Sequence, residues 1–133
     1  MIQLDDCVLE WLRDTCDLPV GYCEFPTDEG CYEFSPSPTQ EVAATYRAGG
    51  GRFGYTYELY LRERPLDASA RRVAVRRLAE VAQTISARSF PDAPDGCVWV
   101  GHQVTERPAL FATYDDGREE YRLVARISYI ERS

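Results

Sequence analysis

The chain has 133 residues, 44% hydrophobic and 28% charged, the make-up of one soluble globular domain spanning 1–133. Its 22 acidic against 15 basic residues give a formal charge of −7, which argues against a dedicated nucleic-acid-gripping face while leaving room for a local basic patch. All 15 basic residues are arginine, so no lysine can serve as a Schiff base or a phosphate ligand. The arginine bias has two readings, codon bias in a GC-rich genome and the bidentate interface chemistry of the guanidinium.

The N-terminal MIQLDDCVLEWL opens on acids where a signal peptide would carry a basic region, and no apolar run approaches membrane-spanning length. The expectation is a soluble protein made in the cytoplasm. Cys7, Cys16, Cys23, Cys31 and Cys97 are odd in number and contain no CxxC, which points to reduced, mostly buried thiols.

In chain order, Asp5 and Asp6 can cap a short helix through Leu12, closed by Pro19. A short strand follows over 20–25, then the turn-rich PTDEG, and SPSPT at 35–39 reads as a loop. A strand over 41–47 leads to RAGGGRFG and then to the clearest strand of the chain. There Phe53, Tyr55, Tyr57, Leu59 and Leu61 fall on one face and Thr56, Glu58, Tyr60 and Arg62 on the other. Asp67 or Ser69 caps the one long helix, about 68–88, with Ala70, Val73, Ala74, Leu78, Val81 and Ile85 as its apolar stripe and Arg71, Arg72 and Arg76 opposite. A strand from Cys97 is interrupted at Pro108, with 109–114 as a displaced continuation past a bulge. Asp115-Asp116-Gly117 marks a hairpin turn, and the last strand alternates Tyr121, Leu123, Ala125, Ile127 and Tyr129 with Arg122, Val124, Arg126 and Ser128. The fold class expected is α+β: an antiparallel or mixed sheet of about five strands built from hairpins, packed on the long helix, with a short N-terminal helix.

Chemistry finds little support. The glycine run enters a strand, whereas a phosphate loop must enter a helix N-terminus, so it reads as a mobile hairpin tip. His102 is the sole histidine. On an unbroken strand it points away from Cys97 and lies about 13 Å from Glu106, which makes it a half-exposed, inert residue. Asp115, Asp116, Glu119 and Glu120 cluster at a solvated turn, where they stay ionised. No catalytic residue, cofactor site or metal site is assigned.

The order of features resembles the minor capsid or tail-terminator proteins of long-tailed bacteriophages and prophages. The resemblance rests on the helix CVLEWLRDTCDLPVGY, the glycine- and arginine-containing tip before YTYELYLRER, the helix RRVAVRRLAEVAQTI and the closing TERPALFATYDDGREEYRLVARISYIE. It implies a non-enzymatic virion protein: a homo-oligomeric, hexameric ring at the head-proximal end of the tail tube. Such a ring ends tube polymerisation and joins the tail to the head. Its partners are other copies of itself, the tail tube protein and a head-completion protein, with no membrane and no specific nucleic-acid binding, since DNA passes through the ring. The alternatives are another neck or head-closure component, or a small-ligand-binding regulatory module using Tyr57, Tyr60 and Trp99. Ring contacts between unlike faces would draw on Arg71, Arg72 and Arg76 of one subunit and Asp115, Asp116 or Glu119 of the next. Arg47 and Arg52, flanking the glycines, would reach the lumen or the tube from a tip disordered in the free subunit.

Overall fold

The computed structural model describes residues 3–38, 41–87 and 89–132. Its elements run α1 (Asp5–Thr15), β1 (Val20–Tyr22), β2 (Cys31–Pro36), β3 (Glu41–Thr45), β4 (Gly51–Glu63), α2 (Ala68–Ser86), β5 (Cys97–Thr113) and β6 (Glu119–Glu131). The α+β reading holds: one mixed sheet of six strands carries both helices on a single face. The sheet is ordered β1-β2-β4-β6-β5, with β3 also on β4, beyond the end of β2. Among the described residues only β1 and β2 run parallel; the other pairs are antiparallel.

The alternation in β4 and β6 sets the core. Phe53, Tyr55, Tyr57, Leu59 and Leu61 pair in register with Tyr129, Ile127, Ala125, Leu123 and Tyr121, and all ten are buried. Against this row α1 lays Leu4, Val8, Leu9 and Leu12, and α2 lays Ala74, Leu78, Val81 and Ile85. The stripe of α2 is thus narrower than its sequence pattern, because Val73 lies on the flank and is half-exposed. Asp67 caps α2 by accepting from the Ala70 N–H at 2.8 Å. Asp5 and Asp6 sit inside the first turn of α1, whose N-cap is Leu4 and has no side-chain cap. Asp5 instead accepts the Tyr55 hydroxyl at 2.5 Å and the Tyr22 hydroxyl at 3.0 Å, which pins α1 to the sheet.

The sixth strand is β2, which the sequence reading left unassigned, its last two residues falling in the SPSPT loop. Tyr32 and Phe34 are buried. Along β2 the Tyr32 N–H faces the β1 side, donating to the Pro19 carbonyl at 2.8 Å. Pro36, four residues on, therefore turns its nitrogen to the same side, past the end of β1, where no donor is needed. Thr39 of that loop lies outside the described residues, as does residue 88 at the expected end of the long helix.

The two hairpin connections form as expected. The glycine tip between β3 and β4 closes with Gly49 N–H to the Tyr46 carbonyl at 3.0 Å and Tyr46 N–H to the Gly50 carbonyl at 3.2 Å. Gly49 and Gly50 adopt φ of 94° and 77°, a left-handed geometry that side chains resist. Past Pro108 the chain continues as the expected displaced strand, since the register against β6 shifts between Glu106 and Ala109. However, β5 is not interrupted there and runs through Thr113; further shifts fall between Trp99 and Gly101, Val104 and Glu106, and Leu110 and Ala112.

Candidate functional site

The histidine is placed by a bulge. A strand without irregularity would send Cys97 and His102 to opposite faces, but the extra residue at Val100 reverses the alternation. Trp99 pairs with Tyr129 and His102 with Ile127, so both face the helices. The expectation of a half-exposed histidine is corrected: it is buried, 5.2 Å from the Trp11 ring and 5.8 Å from the Phe90 ring. Its Nδ1 lies 2.9 Å from the Ser89 carbonyl, which can only accept, so Nδ1–H donates there and Nε2 accepts the Tyr57 hydroxyl at 2.8 Å. Ala125, between Tyr57 and the β5 strand, leaves room for that bond. Desolvation lowers the His102 pKa, with the bond to Ser89 opposing it. A second bulge at Thr105 sends Glu106 to the other face of the sheet, so His102 and Glu106 do not share one.

With both ring nitrogens engaged inside the core, His102 is a packing residue. Among the described residues no group of three or more His, Cys, Asp or Glu could hold a metal ion, and no helix is long and apolar enough to cross a membrane. The cysteines are free thiols: Cys16, Cys31 and Cys97 are buried, Cys7 is half-buried and Cys23 is exposed. Burial pushes the Cys16 thiol up to about 12 and Cys97 up to about 11, which leaves both protonated and unreactive. Tyr57 and Trp99 face the helices while Tyr60, paired with Arg122, faces the other way. An aromatic ligand platform made from those three residues therefore does not form.

What remains is surface. Among the described residues no helix covers the sheet face turned away from α1 and α2, and it carries arginines held by carboxylates and rings. Arg62 lies over the Phe25 ring at 3.9 Å and binds Glu120 at 2.7 Å. Arg122 lies over Phe111 at 4.6 Å, binds Glu106 at 2.6 Å and stands 3.6 Å from Glu58, while Tyr60 meets Phe111 edge-on at 5.2 Å. Arg126 reaches Glu41 at 2.6 Å by crossing Gly54, where an added Cβ would come within 2.7 Å of its guanidinium carbon. The residues of this face were visible in the alternation of β4 and β6. Their partners on β5 were not, because each depends on a register shift.

The eight residues expected at interfaces separate into two sets. Arg71 donates through Nε and Nη2 to Glu119 of its own chain at 3.0 and 2.8 Å, so that pair does not join neighbours. The reason is position: Glu119 is the first residue of β6 and buried, alongside the first turn of α2. The Tyr121 hydroxyl (2.7 Å) and then Arg71 hold its carboxyl below the ordinary range. Glu120 is likewise buried, on the opposite face, so neither glutamate belongs to a solvated tip. We expect Glu119→Gln to destabilise the fold by about 2 kcal/mol, read as a lower urea midpoint with unchanged slope; an unchanged midpoint would contradict it.

Asp116 is taken up by Arg118, at 2.7 Å, and by the Arg118 N–H at 3.1 Å. Arg72, Arg76 and Asp115 are exposed and make no ion pair among the described residues. Arg72 and Arg76 lie one turn apart, on the side of α2 opposite Ala74 and Leu78. Arg47 sits in the glycine turn and Arg52 in β4 opposite Ala44, both exposed. No protein-family model matches this chain, and no curated protein matches it either.

Proposed function

We propose that the protein is a structural component of a long-tailed phage or prophage: a ring-forming tail terminator at the head-proximal end of the tail tube. The observation that carries this reading is the uncovered sheet face with its clamped arginines and rings. Aromatic residues and arginine are the residue types enriched in protein interfaces. Here the side chains are already fixed by their own chain, so docking them costs little entropy. In this role the face meets the tube end or the neck, and the two-layer fold presents a different surface on its helix side. One face continues the tube and the other refuses a further ring. No catalysis is required, and the −7 charge lets DNA pass through a lumen without adhering.

Electron micrographs of purified tail tubes, with and without the protein, test this. Added protein should give a cap at one end and stop further elongation by tube subunits. Tubes that stay uncapped and keep growing would sink the terminator assignment. Binding to portal complexes in preference to tubes would move the protein to another position in the neck.

A further inference from the structure

The pairing of Arg71 with Glu119 leaves a more specific candidate for the contact between copies. The top of α2 carries Arg72 and Arg76, with neither neutralised by a carboxylate among the described residues. Beside them are two apolar side chains that the fold leaves outside: Val73, 46% exposed, and Leu66, 93% exposed, just before the cap. Leu66 stands where a hydrophobic staple would pack onto the helix, yet residue 71, its would-be partner, is an arginine bound to Glu119. Val73 lines a shallow groove of about 230 Å³ with Pro65, Ala70 and Ala74 and with the charged Glu63, Arg64 and Arg77.

The complement is at the end of the sheet. The β5–β6 turn projects Asp115, unpaired among the described residues, with Tyr114 43% exposed beside it. On β5 just before the turn, Leu110, which pairs with Tyr121, is 51% exposed. Each surface thus offers charge of one sign together with uncovered apolar side chains. They are unlike patches, a turn and a helix ridge, that adjoin where Arg71 of α2 binds Glu119 at the foot of the turn. A union of unlike patches that is not returned reciprocally is heterologous and propagates from copy to copy.

We propose that the β5–β6 tip of one copy seats on the α2 ridge of a second copy, with Asp115 between Arg72 and Arg76 and with Leu110 and Tyr114 against Val73 and Leu66. The occupant is the chain itself, because its charges and apolar residues complete one another. In a subunit of net charge −7, random approach of two copies is repulsive, and this pairing supplies a local attraction that selects one orientation. The inference rests on the ring reading and names the contact that closes the ring.

Sedimentation velocity of the purified full chain over a concentration series reads the contact. Wild type should self-associate, and either D115R or the R72D/R76D pair should weaken association at least tenfold. Mixing D115R with the R72D/R76D protein should restore association, since each then offers the surface the other needs, and this recovery also shows that both variants fold. A wild type monomeric throughout, association indifferent to the reversals, or no recovery on mixing would overturn the proposal. Tube capping is scored separately on the same proteins. Caps that persist with the reversed variants would refute this contact and leave the terminator reading standing. Charge-sensitive association without caps would do the opposite.

Discussion

Replacing Leu123 with alanine should lower the unfolding free energy by about 2–5 kcal/mol, the largest loss expected from any single substitution considered for this chain. Leu123 has no exposed surface, sits mid-way along β6 and faces Leu59, itself fully buried, across the central pair of strands. It belongs to the cluster that also holds Leu61, Tyr121 and, from α2, Leu78. Strands on both sides of β6 fix the backbone, so the neighbours have little freedom to collapse into the space. A domain of this size has about 5–15 kcal/mol in total, so the variant should melt many degrees lower or fail to accumulate. A urea midpoint within error of wild type would show that the core is looser than its burial implies.

Acid should weaken the fold in a window that belongs to one residue. His102 has its pKa lowered from the ordinary 6.5, first by desolvation, so the folded chain resists the proton that the unfolded chain accepts. Below pH 6.5 the unfolded state gains that proton and the folded state does not, so stability falls as pH falls, until the folded-state value is reached. For a single group the slope is at most about 1.4 kcal/mol per pH unit. It is the only histidine, which makes the window clean. Asp116 and Glu119, with pKa values lowered from 3.8 and 4.5, contribute stability that is present at neutral pH and is lost only further down, as the carboxylates titrate. Denaturant melts across pH should show two declines, and in His102→Gln the upper one should be absent. An upper decline that survives this substitution would assign the proton elsewhere.

Those two residues also show how far the sequence could be read. Leu123 was legible because β6 alternates without interruption and β4 answers it in register, so parity alone sends the right side chains inward. The capped helix from Asp67 and the Asp-Gly turn were legible for the same reason: each signal is local. His102 was not, because its face depends on one extra residue at Val100, and a bulge leaves no periodic trace in a strand that is otherwise valine-rich. Strand β2 was not legible because two prolines within four residues read as a loop, when only the direction of the Pro36 nitrogen mattered. At the interfaces, an arginine stripe and an acidic turn were readable as charge, but not which charges the chain would spend on itself. Arg71 went to Glu119 through the meeting of an α2 turn with the start of β6, a contact between residues 48 positions apart. Arg62, Arg122 and Arg126 were seen as an alternating polar row, and only the three-dimensional register made them a clamped surface.

The irregular course of β5 bears on how copies of the chain avoid meeting in the wrong way. At 17 residues it is the longest strand among the described residues, and it lies at the border of the sheet, where β6 is the one strand it pairs with among them. A straight strand of that length would template the addition of foreign strands and lead toward fibrous aggregates. Its repeated bulges, the missing donor at Pro108 and the exposed charges of Glu106 and Arg107 deny an incoming strand any long uninterrupted run of hydrogen bonds. Backbone stickiness is thereby suppressed. Any association between copies is then left to side chains, which can be matched to one neighbour and refused to all others.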